Sequence, residues 1–242
     1  MNQFQSMKRY INESRYLVCL QGIKTSVDCG TVNYRSEQDD LYEIEEKYGY
    51  SPEEIFSSTF LNNRQEEFYE YYHNEILANM GTPSKGLKAL AALEKKGVLK
   101  TVITREIYSL AKRAGCHHVI ELHGSVYKNI CPQCRKHFSF KLMKDTRGIV
   151  KCPDCFRAVR PEVCLMGEQI DNALVTRAAD EVSKADVLLI IGCNMKGLLP
   201  ETFIKYFEGS KILLINDEPH YTDDMADIVI HGNISDVLPQ IL

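Results

Sequence analysis

No stretch of this 242-residue sequence is apolar over the roughly 18–20 positions that a membrane-spanning helix needs. The longest apolar run, Ala185 to Gly192, is interrupted by Asp186 and reads as a buried strand. The N-terminal stretch from Met1 to Glu13 is polar and lacks the apolar segment of a secretion signal, so the expected compartment is the cytoplasm, with no membrane partner. Internal repeats and low-complexity tracts are also missing. An excess of one charge is missing too: 29 Lys and Arg against 33 Asp and Glu leave a formal charge of -4, which argues against a surface built to coat nucleic acid. What remains is ordinary globular composition, 44% hydrophobic and 26% charged, in a chain long enough to bury a sizeable core.

Cysteine is the residue that stands out, with nine in all. Cys19, Cys29, Cys116, Cys164 and Cys193 are scattered, mostly beside apolar residues, and read as small buried hydrophobes in a reducing compartment. Cys29 and Cys193 lie in loops expected to face a ligand, which leaves a reactive role open for both. The other four form two pairs, Cys131-Pro-Gln-Cys134 and Cys152-Pro-Asp-Cys155, separated by 17 residues. Each pair places two sulfurs on one turn, and an intervening hairpin brings the turns together into a tetrahedral zinc site. With Cys131, Cys134, Cys152 and Cys155 filling all four positions, none is left for a substrate, so the zinc is structural. His137 is the one further residue in reach as a ligand.

Short apolar runs punctuate the chain at Arg15–Leu20, Leu99–Thr104, Val119–Leu122, Val187–Gly192, Lys211–Asn216 and Ile228–Ile230. Such near-continuous apolar strands suit a parallel sheet covered on both faces. Between them Ser84–Lys96 and Asn172–Lys184 carry apolar residues at helical spacing. Strands alternating with helices give an α/β fold with a doubly wound, Rossmann-like parallel sheet, built from residues 1–36, 73–126 and 161–242. Two segments break the rhythm and are expected to form a smaller lobe. Residues 37–72 are rich in acid and tyrosine and read as a helical insertion of two or three helices, one of them starting at Ser51-Pro52-Glu53-Glu54. Residues 127–160 form the zinc ribbon. They hold nine Lys and Arg against two Asp, much of which compensates the thiolates of the metal site.

Further stretches carry a family resemblance. Glu121-Leu122-His123-Gly124-Ser125 ahead of the first cysteine pair resembles the active-site strand of the sirtuins, NAD-dependent protein deacylases of a bacterial type. Tyr50-Ser-Pro-Glu-Glu-Ile55, Ala114-Gly115, Arg160-Pro161, Met166-Gly167-Glu168, Gly192 and Ile215-Asn216-x-Glu218 follow the family pattern in order. The resemblance implies that His123 is the general base, taking a proton through the nicotinamide ribose, a task suited to an imidazole near its own pKa. It implies that Met166, Gly167 and Glu168 flank an acylated peptide bound by strand addition, with Asn194–Pro200 on its other side. It also implies a nucleotide site formed by Gly22, Lys24, Ser26, Arg35, Glu106, Tyr108, Gly192, Cys193, Asn194, Asn216 and Glu218.

Three of these loops depart from the family pattern. Where sirtuins read Gly-Ala-Gly-x-Ser, this chain has Gly22-Ile23-Lys24-Thr25-Ser26, putting a lysine where a bare backbone approaches phosphate. Thr-Gln-Asn-Ile-Asp becomes Thr104-Arg105-Glu106-Ile107-Tyr108, and Gly-Thr-Ser becomes Gly192-Cys193-Asn194. The expectation is an NAD-dependent lysine deacylase or ADP-ribosyltransferase that binds NAD more weakly than its family. A non-catalytic module binding NAD, ADP-ribose or another nucleotide is the other reading. A third is an adaptor acting through the basic zinc lobe.

Overall fold

Six short strands, each buried for most of its length, set the frame. In the computed structural model, which describes residues 2–31 and 40–242, β1 (Leu17–Gln21), β2 (Leu99–Thr104), β3 (Val119–Glu121), β7 (Val187–Ile191), β8 (Lys211–Asn216) and β9 (Ile228–His231) form one sheet in the order β3-β2-β1-β7-β8-β9. Every pairing is parallel. Side chains on both faces of the central strands are covered, as the apolar runs predicted. Leu17, Val18 and Leu20 of β1 and Leu188 to Ile191 of β7 are fully buried, and each such side chain contributes about 1.5–3 kcal/mol of burial.

The connecting helices explain the cover. Helix α1 (Gln3–Glu13) precedes β1 and buries Met7 and Ile11, an element the polar N-terminus did not advertise. A short α2 (Lys24–Asp28) follows β1. Two longer helices are amphipathic, with Ser84 capping α7 (Lys85–Lys95) and Asp171 capping α10 (Asn172–Lys184) through their side-chain oxygens. The remaining three are α8 (Leu110–Ala114), α11 (Leu198–Phe203) and α12 (Ile234–Ile241). Helices α7, α8 and α12 pack together, as do α10 and α11. Strand order runs outward in both directions from the β1–β7 pair, so right-handed crossovers put the two sets on opposite faces. Ligands of such sheets bind beyond the C-terminal strand ends where the order reverses. Here that edge carries Gln21, Gly22, Ile191 and Gly192.

Residues Met1–Cys29, Gly81–Leu122 and Asp171–Leu242 make up this compact unit, and Gly30–Met80 with His123–Ile170 make up a second. The second unit is broader on every side than residues 37–72 and 127–160. Its helical part has more pieces than expected: α3 (Asp40–Tyr48), α4 (Pro52–Ile55), α5 (Ser58–Asn63) and α6 (Gln65–Tyr71), continuing into a wider helical turn at Tyr72–Leu77. Ser51 caps α4 with proline in the first turn, as its sequence predicts. Phe56, Phe68 and Tyr72 stack in series at 6.0 Å spacings. Tyr69 donates its hydroxyl to the Val159 carbonyl, tying these helices to the cysteine-bearing segment. That segment is a three-stranded antiparallel sheet, β5 (His137–Phe138), β4 (Gly124–Ile130) and β6 (Arg160–Val163), with α9 (Phe140–Asp145) beside it. The link between the cysteine pairs is therefore a strand followed by a capped helix rather than a plain hairpin. Among the described residues no helix is long and apolar enough to cross a membrane.

Candidate functional site

The four paired cysteines converge. Their sulfurs all lie within 4.8 Å of one another, with Cys131–Cys155 at 3.2 Å and Cys134–Cys152 at 3.6 Å. A tetrahedron with Zn–S bonds of about 2.3 Å has S–S edges of about 3.8 Å, so the cluster has the size the metal requires. Matching backbone bonds build the two turns. Arg135 N–H donates to Cys131 O and Cys131 N–H to Lys136 O, while Phe156 N–H donates to Cys152 O and Cys152 N–H to Arg157 O. His137 is exposed and 3.8 Å from Glu162, outside the sulfur cluster. All-thiolate ligation leaves no open position, so a zinc ion held here stabilises its lobe rather than activating a substrate.

His123 lies in the two-residue turn between β3 and β4, half-buried, and its carbonyl accepts the Cys164 N–H. The next residue explains the turn. Gly124 has φ +70, and a Cβ there would fall 1.9 Å from the Glu162 carbonyl oxygen, so only glycine lets β4 pair with β6 directly after the histidine.

In the same unit Met166 exchanges backbone bonds with the α4–α5 link, its N–H donating to Phe56 O and its carbonyl accepting from Ser58. Gly167 follows at φ +85. Glu168 is engaged inside the chain. Arg160 grips its carboxylate with both terminal nitrogens, at 2.6 and 3.0 Å, and Leu165 N–H donates to the same group. The guanidinium beside it, with the N–H bond, holds this carboxyl below its usual range against partial burial. The structure thus makes Glu168 the brace of the Leu165–Glu168 turn and leaves Met166, 39% exposed, as the presented side chain.

At the strand ends of the sheet unit, Gly22 and Gly192 are neighbours. A Cβ on Gly22 would lie 2.5 Å from the Gly192 carbonyl oxygen, and Gly192 sits at φ +64 against the Thr25 backbone. The two glycines let the β1 and β7 turns touch, with Lys24 N–H donating to Gly192 O at 3.0 Å. The Lys24 side chain crosses to the end of β8 and pairs with Asp217 at 2.5 Å and Glu218 at 2.9 Å. Two carboxylates of this chain therefore already engage the cation. Asn216, buried, donates to the Glu218 carbonyl. Asn194 accepts the Lys196 N–H and closes its own turn. Burial pushes the Cys193 thiol up to about 12 and raises that of Cys29 as well, which favours the protonated thiol at both. Arg35 lies outside the described residues.

Glu106 also finds its partners inside the chain. Its carboxylate accepts the N–H of Tyr108 at 2.6 Å and of Leu110 at 2.8 Å. It thereby caps α8, whose own leading residue, Ser109, has a left-handed backbone and makes no side-chain cap. Burial raises this carboxyl to about 7 despite the two N–H bonds that oppose the shift. Glu106 thus braces its own loop in this structure, and Tyr108 beside it is buried.

Two groups escaped the sequence reading. Gln21, one position past the apolar run Arg15–Leu20, is the last residue of β1, in register with Thr104 and, through it, Glu121. Its side-chain amide is buried with neither atom partnered among the described residues, and the same holds for Ser26 Oγ and Asn216 Oδ1. Each such group costs about 1–3 kcal/mol unless a ligand or water meets it. An amide ending an otherwise apolar strand was the available signal. Asp217 was missed because its role depends on Lys24, 193 positions away.

Comparison with known proteins accounts for this layout. A model of the Sir2 family matches residues 22–198. The chain belongs to the Sir2 family. An NAD-dependent protein deacetylase of Clostridium acetobutylicum is 32% identical over 243 positions, spanning 100% of this chain and 99% of that protein. One from Clostridium tetani is 33% identical over 239 positions, with 98% and 96% covered. Among solved structures, one from work on sirtuin substrate affinity superposes with a TM-score of 0.85 at 27% identity, over 100% of this chain and 98% of the other. A Sir2 complex with a p53 peptide and NAD+ gives 0.80 at 26%, over 100% and 96%. The α/β sheet and four-cysteine lobe are thus the Sir2 fold, and His123 lies within the matched span.

Proposed function

We propose that this chain is an NAD-dependent protein lysine deacylase. The observation that carries the reading is the match, over essentially the whole length of both chains, to proteins named NAD-dependent protein deacetylases. The polar groups at the sheet edge fit a dinucleotide: the Gln21 amide, Ser26 hydroxyl and Asn216 amide oxygen are buried donors and acceptors awaiting partners, and the carboxamide and ribose hydroxyls of NAD supply them. NAD, when bound, supplies the ribosyl carbon that accepts the acyl oxygen. In this reading His123 removes the ribose proton, which suits an imidazole at neutral pH. Gly22, Lys24, Ser26, Arg35, Glu106, Tyr108, Gly192, Cys193, Asn194, Asn216 and Glu218 are assigned to the nucleotide. Met166, Gly167 and Glu168 are assigned to the acylated peptide, with Glu168 acting through the turn it braces. Cytoplasmic location belongs to the same reading, since nine cysteines with no disulfide among the described residues suit a reducing compartment.

The test is nicotinamide release from NAD with an acetyl-lysine peptide and with its unmodified counterpart. Release that requires the acetyl group, matched one for one by deacetylated peptide, is the expected result. NAD binding without release under either condition would replace the enzyme with a nucleotide-binding module.

A further inference from the structure

The unit formed by residues 30–80 and 123–170 carries opposite charge on its two segments. From 40 to 75 there are ten acids and two bases, a formal -8. From 127 to 160 there are nine bases and two acids, a formal +7, of which four thiolates around one zinc offset about two. Much of this charge is unspent. Glu43, Glu45, Glu46, Glu54, Glu66 and Glu70 are exposed, and no ion pair engages them among the described residues. Lys128, Arg135, Lys141, Lys144, Lys151 and Arg157 are in the same position on the zinc segment.

Each segment also displays one aromatic ring to solvent: Tyr42 on α3 is 72% exposed and Phe156 on the zinc lobe 76%. Phe156 follows the second cysteine of its pair with φ +57, and Arg135 holds the equivalent place in the other pair with φ +60. That left-handed backbone favours glycine, and a bulky side chain there is an outlier. Buried packing does not offset its strain, because the ring stands in water.

We propose that the zinc-lobe face formed by Arg135, Phe156 and Arg157, flanked by Lys141 and Lys144, docks onto the acidic α3 face of a second copy around Tyr42, Glu43 and Glu46. Charge complementarity names the occupant, since one chain supplies both halves, a formal -8 on the helical segment against about +5 on the zinc segment once the metal site is counted. Aromatic and arginine side chains are the usual centres of protein interfaces, with charges at the rim steering the approach. Because each copy holds both faces, two reciprocal contacts close a two-fold dimer.

Sedimentation velocity of the zinc-loaded full-length chain at about 0.01 M and about 1 M salt tests this, because the screening length falls from about 30 Å to about 3 Å between them. A dimer at low salt that dissociates at high salt is expected. The pair Glu43→Lys with Glu46→Lys, remote from the metal ligands, should weaken association about 10-fold or more. Arg135→Glu with Arg157→Glu should do the same at unchanged zinc content, with Lys141→Glu and Lys144→Glu used instead if zinc is lost. An equimolar mixture of the acid-reversed and base-reversed chains should associate again. A monomer at low salt overturns the proposal, as does a dimer indifferent to both reversals. So does a monomer that binds single-stranded oligonucleotide and loses it on Phe156→Ala, which would make the basic face a nucleic-acid site.

Discussion

The cysteine lobe and the strand ends of the sheet were both read as ligand sites, and they behave differently. In the lobe the four sulfurs meet within 4.8 Å of one another. At the strand ends the chain has partnered several of the candidate site residues: Lys24 with Asp217 and Glu218, and Glu106 with two backbone N–H groups. Thiolates have few strong partners in a protein other than a metal, so their spacing states their purpose. Lysines and carboxylates have many partners, so a motif position says where such a residue sits but not what its charge is spent on.

The largest effect should come from breaking the simpler region. Cys131→Ser or Cys152→Ser should reduce bound zinc from about one equivalent per chain to almost none, because a structural zinc site of this kind supplies on the order of 10 kcal/mol. Hydrogen exchange should then rise across residues 124–163 and stay low in β1, β7 and β8, which have their own core. Equal loss of protection in both regions would mean the sheet depends on the metal, and the contrast would fail. Next comes His123→Ala. Turnover of an acylated peptide should fall about 100-fold, the usual scale for a lost general base, with little change in nucleotide affinity. Undiminished turnover would make His123 a turn residue and nothing more.

Glu106 offers a smaller effect with a definite sign. Its carboxyl titrates at about 7 in the fold against an ordinary 4.5. The folded state therefore holds the proton more tightly than the unfolded chain. Stability from this group is fully present below about pH 4.5 and is lost as pH rises through about 7. The shift bounds the loss at about 3 kcal/mol. Glu106→Gln keeps one acceptor and removes the titration, so denaturant unfolding at pH 5 and pH 8 should differ less in the variant than in the parent. Equal pH dependence in the two chains would show that the carboxyl is solvated and that the bracing role is wrong.

How much was legible follows the same division. Strands 99–104 and 211–216 and helix 172–184 were bounded to the residue, because unbroken apolar runs and a 3.6-residue period report burial directly. Helix α1 was hidden, since only Met7 and Ile11 of its eleven residues face the core. The helical insertion was undercounted because its pieces are four to nine residues long, too short for a period to show. Glu168 and Gln21 were opaque for another reason. Whether a carboxylate or amide meets a ligand or a neighbour is decided by residues brought together only by the fold.

Lys24 gives the smallest effect and the sharpest test of the contrast. Its ammonium is 31% exposed and its partners Asp217 and Glu218 are 49% and 78% exposed, so the ion pairs themselves contribute about 0–1 kcal/mol. Stability should hardly change in Lys24→Ala. Nucleotide affinity should change more, because two carboxylates at the C-terminal strand ends would be left uncompensated. Repulsion between these charges and a diphosphate predicts NAD binding weaker by about 3- to 10-fold at low salt, shrinking as salt is added. The mechanism is separable by a second substitution. If Lys24 serves mainly to neutralise Asp217, then Asp217→Asn in the Lys24→Ala background should recover most of the lost affinity. If instead the lysine leaves its carboxylates to hold phosphate, the double variant should bind as weakly as the single one, and Asp217→Asn alone should bind NAD more tightly than the parent by freeing the cation. Isothermal titration of the four chains closes the cycle, and it decides whether the residue standing in a glycine's place serves the ligand or its own neighbours.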